Sequence, residues 1–167
     1  MIKKKFDPCL VGKFKIDANS IEKMFSKIFK DNYTVESASG DYRLLVDSFQ
    51  KFSFDFNLFT VSVIIHDETL GDIRAKVSLT GNTQANGKNI EKDALCFSDI
   101  GDDLKIHVRI ETASGIIESE QPYNQFDEFG NGQLKYVCNK SELIFLRKLP
   151  SGDMGENEIH PIRFIRE

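Results

Sequence analysis

The hydrophobic period of this chain changes at Tyr33, and that change constrains the fold more than any motif. Before it, Ile21, Met24, Phe25, Ile28 and Phe29 recur at helical spacing opposite Glu22, Lys23, Ser26, Lys27 and Lys30, the pattern of one amphipathic helix. Asn19 stands three residues before Glu22 as a capping-box-like start. Lysines in the last turn suit the negative end of the helix dipole, and Asn32 is a fair stop.

After Tyr33 the period is two, which places strands near 33–37, 42–49, 52–57, 59–66, 73–80, 104–112, 134–138 and 142–149. A short first strand precedes the helix at residues 9–16. Alternation is cleanest in Phe59, Val61, Val63 and Ile65, in Ile73, Ala75, Val77 and Leu79, and in Leu104, Ile106, Val108 and Ile110. Polar residues stand between them, as in an antiparallel sheet with one wet face. Phe52, Phe54, Phe56 and Leu58 share one parity, yet the apolar set then moves to Phe59. A strand that exchanges faces near Asn57 and Leu58 needs a bulge, a sharp turn or a crossing between layers.

The segment from Asp67 to Asp72 reads as a hairpin loop, Asn82 to Asn89 as a polar loop, and Gly101-Asp102-Asp103 and Gly130-Asn131-Gly132 as turns. The fold class is therefore α+β and mainly β, an antiparallel sheet, curved or partly barrel-like, packed on one N-terminal amphipathic helix. At 167 residues the chain is read as one domain, 1–167, able to build a core without staples. A flexible region is expected around 150–158, with Ile159 to Ile165 as an edge strand or a loose end.

Apolar residues make up 40% and charged residues 29%, the balance of an ordinary globular protein rather than a disordered or membrane class. No apolar run approaches the roughly 20 residues that cross a bilayer, and Phe6-Asp7-Pro8 interrupts any signal-like core after Lys3, Lys4 and Lys5. Cys9, Cys96 and Cys138 are odd in number and widely spaced, which predicts reduced thiols and a cytoplasmic protein without membrane association.

Few chemistries find a site. His66-Asp67-Glu68 places an imidazole beside carboxylates, but neighbours in a strand point to opposite faces and the run ends in a loop. His107 lies on a polar face with Lys105, Arg109 and Glu111. No third ligand joins His66 and His107 at a recognisable spacing, and His160 belongs to the tail, so no metal is assigned. Asp99, Asp102 and Asp103 are too irregular for a calcium loop. Cys96 and Cys138 read as buried small residues without an activating neighbour. Glycines form no phosphate loop, so no nucleotide or other cofactor is assigned. Arg74, Lys76, Lys105, His107 and Arg109 would share a basic face if their strands were neighbours, but no aromatic residue interleaves with them, and nucleic acid is not the expected partner.

Charge is uneven although the net is only −4. The first thirty residues hold eight lysines, whereas between Glu91 and Glu128 ten acids face only Lys92, Lys105 and Arg109. Within this acidic stretch, residues 118–129 mix anchors with charge: Glu118, Glu120, Tyr123, Phe126, Asp127, Glu128 and Phe129. Aromatic rings supply burial at low entropic cost, and acids steer a basic partner. The leading expectation is a non-enzymatic protein-binding module, such as an inhibitor or immunity protein that masks a basic surface. The second is a binder of a small apolar ligand in a Phe-lined pocket. The third is an enzyme whose residues only folding brings together.

Overall fold

The computed structural model describes residues 5–28, 32–122, 133–150 and 157–167. The chain enters through a 3-10 turn, Pro8–Leu10, whose first free N–H, that of Cys9, is taken by the Asp7 carboxylate at 2.9 Å. Strand β1 (Gly12–Ile16) and helix α1 (Ala18–Ile28) follow, then β2 (Tyr33–Val46), β3 (Lys51–Asp67), β4 (Gly71–Glu91), β5 (Ala94–Thr112), β6 (Gly115–Pro122), β7 (Leu134–Cys138), β8 (Glu142–Pro150) and β9 (Asn157–Arg166). Every pairing is antiparallel. Among the described residues the architecture is thus mainly β with one short α-helix.

The sheet closes on itself. Its order runs β4-β3-β2-β1-β9-β8-β7-β5, and β4 also pairs with β5, so these strands form a barrel while β6 extends the free side of β5. Eight strands make an interior just wide enough for side chains to fill. Here Phe14, Phe52, Phe54, Phe145 and Phe164 are fully buried in it. Phe164 meets Tyr42 at 5.2 Å and Phe145 at 5.7 Å between ring centres, both edge-on, the arrangement ring quadrupoles favour. Closure between β5 and β7 rests on two residue pairs, Ala94 with Lys135 and Leu95 with Leu134.

The face exchange expected near Leu58 is a bulge. Phe56 pairs with Gly81 and Phe59 with Leu79, so β3 carries extra residues there, and Leu58 is exposed with φ 50°. Gly40 on β2 lies against the same bulge: its φ is 94°, and a Cβ there would overlap the Leu58 carbonyl. The hairpin expected at Asp67 to Asp72 is also present. The Asp67 carboxylate accepts the Thr69 and Leu70 N–H groups at 2.8 Å each, and these bonds hold its pKa below the usual carboxylate value.

Several expectations are corrected. Residues 82–89 are the lower half of β4, not a loop, and Gly101 to Asp103 lie within β5. Strands expected at 33–37 and 42–49 are one bulged strand, β2. Residues 157–166 pair with β8 and β1 inside the barrel, so they are neither an edge nor loose. The expected flexible region is replaced at its ends by paired residues, Pro150 with Asn157 and Leu149 with Glu158, and 151–156 lie outside the described residues. Asp17, not Asn19, caps the helix by accepting the Asn19 N–H at 3.1 Å, and Glu22 accepts the Ala38 N–H on β2 instead of turning back to the cap. Ile21 is buried in the core. The side chains of Met24, Phe25 and Ile28, with all of Phe29, lie outside the described residues.

The cysteine expectation is also overturned. Cys9 and Cys138 form a disulfide across 129 residues of sequence, and Cys96 alone is free and half-buried. The bond ties the 3-10 turn to the end of β7 at the bottom of the barrel. No described helix is long and apolar enough to cross a membrane.

Candidate functional site

Of the residues singled out between 118 and 129, Glu118 and Glu120 are described, and Tyr123, Phe126, Asp127, Glu128 and Phe129 lie outside the described residues. Glu118 and Glu120 belong to β6, a strand that sequence periodicity did not reveal because all eight of its residues are exposed. Its hairpin with β5 pairs Thr112 with Gly115 and runs to Lys105 with Pro122. That register assigns the faces. Ile117, Ser119 and Gln121 lie beside Ile110, Val108 and Ile106, while Ile116, Glu118 and Glu120 lie beside Glu111, Arg109 and His107.

The two acids are not bare. Glu118 faces the Arg109 guanidinium at 3.6 Å, and Glu120 faces the Lys105 ammonium at 3.8 Å. All four side chains are at least two-fifths exposed, so water and salt screen both pairs and each is weak. Ile116, 57% exposed, shares the face of these charges, and Ile117, 64% exposed, lies on the other face. From Gly115 to Leu134 the chain has no lysine or arginine.

The basic residues do gather. Lys76 pairs with Arg109 across β4 and β5, and Ser78 with His107, so Arg74, Lys76, Lys105, His107 and Arg109 share the outer face. Acids interleave with them: Glu36 faces Arg74 at 3.5 Å, and Glu111 faces Arg109 at 3.1 Å. The face is mixed in sign rather than a basic stripe of the kind that tracks a phosphate backbone.

His66 finds partners that its sequence neighbours did not announce. Its Nδ1 lies 2.8 Å from Asp72, its cross-strand neighbour, and its Nε2 lies 2.9 Å from the Thr34 hydroxyl. Asp67 is occupied in the hairpin loop instead. The order hydroxyl, imidazole, carboxylate is that of an activated nucleophile. His66 is 47% and Asp72 68% exposed, however, and in water such a pair polarises a hydroxyl little. His66 and His107 are not brought together, because β3 does not adjoin β5 and His107 lies beside Ser78, the partner of Thr60. The His160 side chain lies outside the described residues. Among the described residues, no three His, Cys, Asp or Glu side chains are grouped as a metal site requires.

At the opposite end of the barrel lies a buried polar hub. The Tyr136 hydroxyl donates to Asp7 at 2.8 Å and receives the Asn89 amide at 2.8 Å, while the Asp7 N–H donates to the Asn89 side-chain oxygen at 2.9 Å. Burial, before any neighbouring charge, pushes the Tyr136 pKa far up. This hub locks the entering turn onto β4 and β7 and is structural.

The chain matches no protein-family model, no curated protein and no solved structure.

Proposed function

We propose that this protein is a non-enzymatic protein-binding module, of the inhibitor or immunity kind, whose partner presents a basic surface to β6 and the segment that follows it. The observation that carries this reading is β6 itself. A fully exposed strand sets two isoleucines beside two acids, in a stretch of chain without a base. Exposed apolar groups rimmed by charge are what a partner buries and is steered towards. The ion pairs from Glu118 and Glu120 to β5 are weak enough for a partner's bases to displace.

The phenylalanines of the barrel pack against one another, which favours this reading over a Phe-lined pocket for a small apolar ligand. Helix α1 serves as the cover of the sheet's apolar side in this account, with Ile21 as its described anchor. The expectation of a cytoplasmic protein rests on reduced thiols, and the Cys9–Cys138 disulfide removes that support. An oxidising compartment is the setting in which such a bond persists.

Association kinetics test the reading. Once a protein partner is in hand, Glu118→Lys with Glu120→Lys should slow association at low salt by about tenfold, with little change at high salt. Unchanged, salt-independent association would sink it.

A further inference from the structure

Resting on the partner-binding reading above, we infer that the partner docks as an added β-strand on the outer edge of β6, and that the incoming strand alternates basic and apolar residues. Strand β6 is paired with β5 along its whole length and ends the sheet, so among the described residues no strand lies on its other side. An edge of this kind presents alternate N–H and C=O groups outward, a template for another chain. Pro122, which has no N–H to donate, limits the template to Gly115–Gln121.

The two faces of β6 set the chemistry of the newcomer. Ile117 continues a cross-strand row made by Ile110, Ala75 and Val63, so the residue added beside it lengthens an apolar row. Glu118 and Glu120 lie on the other face, where bases on the added strand oppose them. Cross-strand pairs of both kinds stabilise a sheet. A second copy of this chain fits poorly, because two antiparallel β6 edges would bring four carboxylates together, and like charges across strands repel.

The probe is a fluorescein-labelled octapeptide of alternating lysine and valine, capped at both ends, titrated against the full chain by anisotropy, with amide hydrogen exchange of residues 115–121. A second peptide has the same side chains and charge but is N-methylated throughout. The expected result is saturable binding of the first, at least about tenfold weaker binding of the second from loss of several backbone hydrogen bonds, and slowed exchange on β6 only with the first. Equal binding of both with unchanged exchange would overturn strand addition while leaving the acidic-surface reading in place. No saturable binding, or self-association of the unliganded chain through β6, would overturn it too. Glu118→Lys with Glu120→Lys tests the underlying reading separately. If that variant binds the first peptide as well as the native chain does, with β6 still protected, strand addition stands and the role of the acids falls.

Discussion

Arg166 lies over the ring of Phe14, its guanidinium carbon 4.6 Å from the ring centre. The same guanidinium donates to the carbonyls of Val11 at 3.0 Å, Cys9 at 2.6 Å and Asn139 at 3.2 Å. One side chain from the last strand thereby joins the first strand, the entering turn and the turn between β7 and β8. The disulfide ties the same entering turn to the end of β7, next to Asn139. The bottom of the barrel is closed twice, by a covalent bond and by a charge with three carbonyl partners. Removing Arg166 leaves those carbonyls without a donor and Phe14 without its cation, so Arg166→Ala should cost about 2–4 kcal/mol of stability in urea denaturation. Arg166→Lys should recover only a part, because an ammonium cannot reproduce the planar fork.

The disulfide closes a loop of 129 residues, for which the chain-entropy model gives about 5 kcal/mol. Reduction should therefore lower the denaturation midpoint strongly, and Cys9→Ala with Cys138→Ala should reproduce the loss without reductant. Alkylation of the unreduced, denatured chain should modify Cys96 only, with all three cysteines reacting after reduction. Three adducts without reduction would contradict the bond.

Backbone room at the bends is needed at particular glycines. A Cβ at Gly81, where φ is 126°, would overlap the Asp103 carbonyl, whereas one at Gly101 meets nothing within 4 Å. Gly81→Ala should destabilise by at least about 2 kcal/mol, with Gly40→Ala similar because of Leu58, and Gly101→Ala should lie within about 0.5 kcal/mol of the native chain. Thermal or urea unfolding of the three variants checks this ranking.

Tyr136 gives the barrel a signature at high pH. Its folded pKa is raised above the ordinary value of 10.0, chiefly by burial. The neutral hydroxyl's contribution is therefore complete below about pH 10 and is lost as pH rises above it, since the unfolded chain ionises first. Tyr136→Phe should cost about 2 kcal/mol at neutral pH by removing the hydroxyl that receives the Asn89 amide and donates to the Asp7 carboxylate. The difference between the native chain and the variant should shrink above pH 10, as read from paired denaturation curves.

The strands with apolar alternation were legible because each turns its own large side chains to one face, the face exchange near Leu58 because the apolar parity shifts there, and the hairpin after Asp67 because a mostly polar run ending in glycine breaks the alternation. The lower half of β4 was not. Its inward residues are Thr83, Ala85, Gly87 and Asn89, small or polar, because the opposing phenylalanines fill the space: Phe54 pairs with Thr83, Phe52 pairs with Ala85, and the Phe52 ring occupies the place a Cβ at Gly87 would take. Volume is shared across the pair, so a pattern read along one strand sees only a polar run. Strand β6 escaped for a different reason, since it buries neither face. The disulfide joins residues that only barrel closure brings near each other. At the candidate site the acids were readable, but neither their exposure nor their ion pairs with Arg109 and Lys105, which depend on the register of the β5–β6 hairpin.

The measurement that tests the central claim most directly is affinity isolation of the tagged full chain from its native host at low salt, with intact mass spectrometry of what elutes, run beside Glu118→Lys with Glu120→Lys. A stoichiometric basic protein, released by salt and absent from the variant's eluate, is the predicted result. A small molecule in its place, nothing bound, or a protein retained equally by both chains would contradict the account.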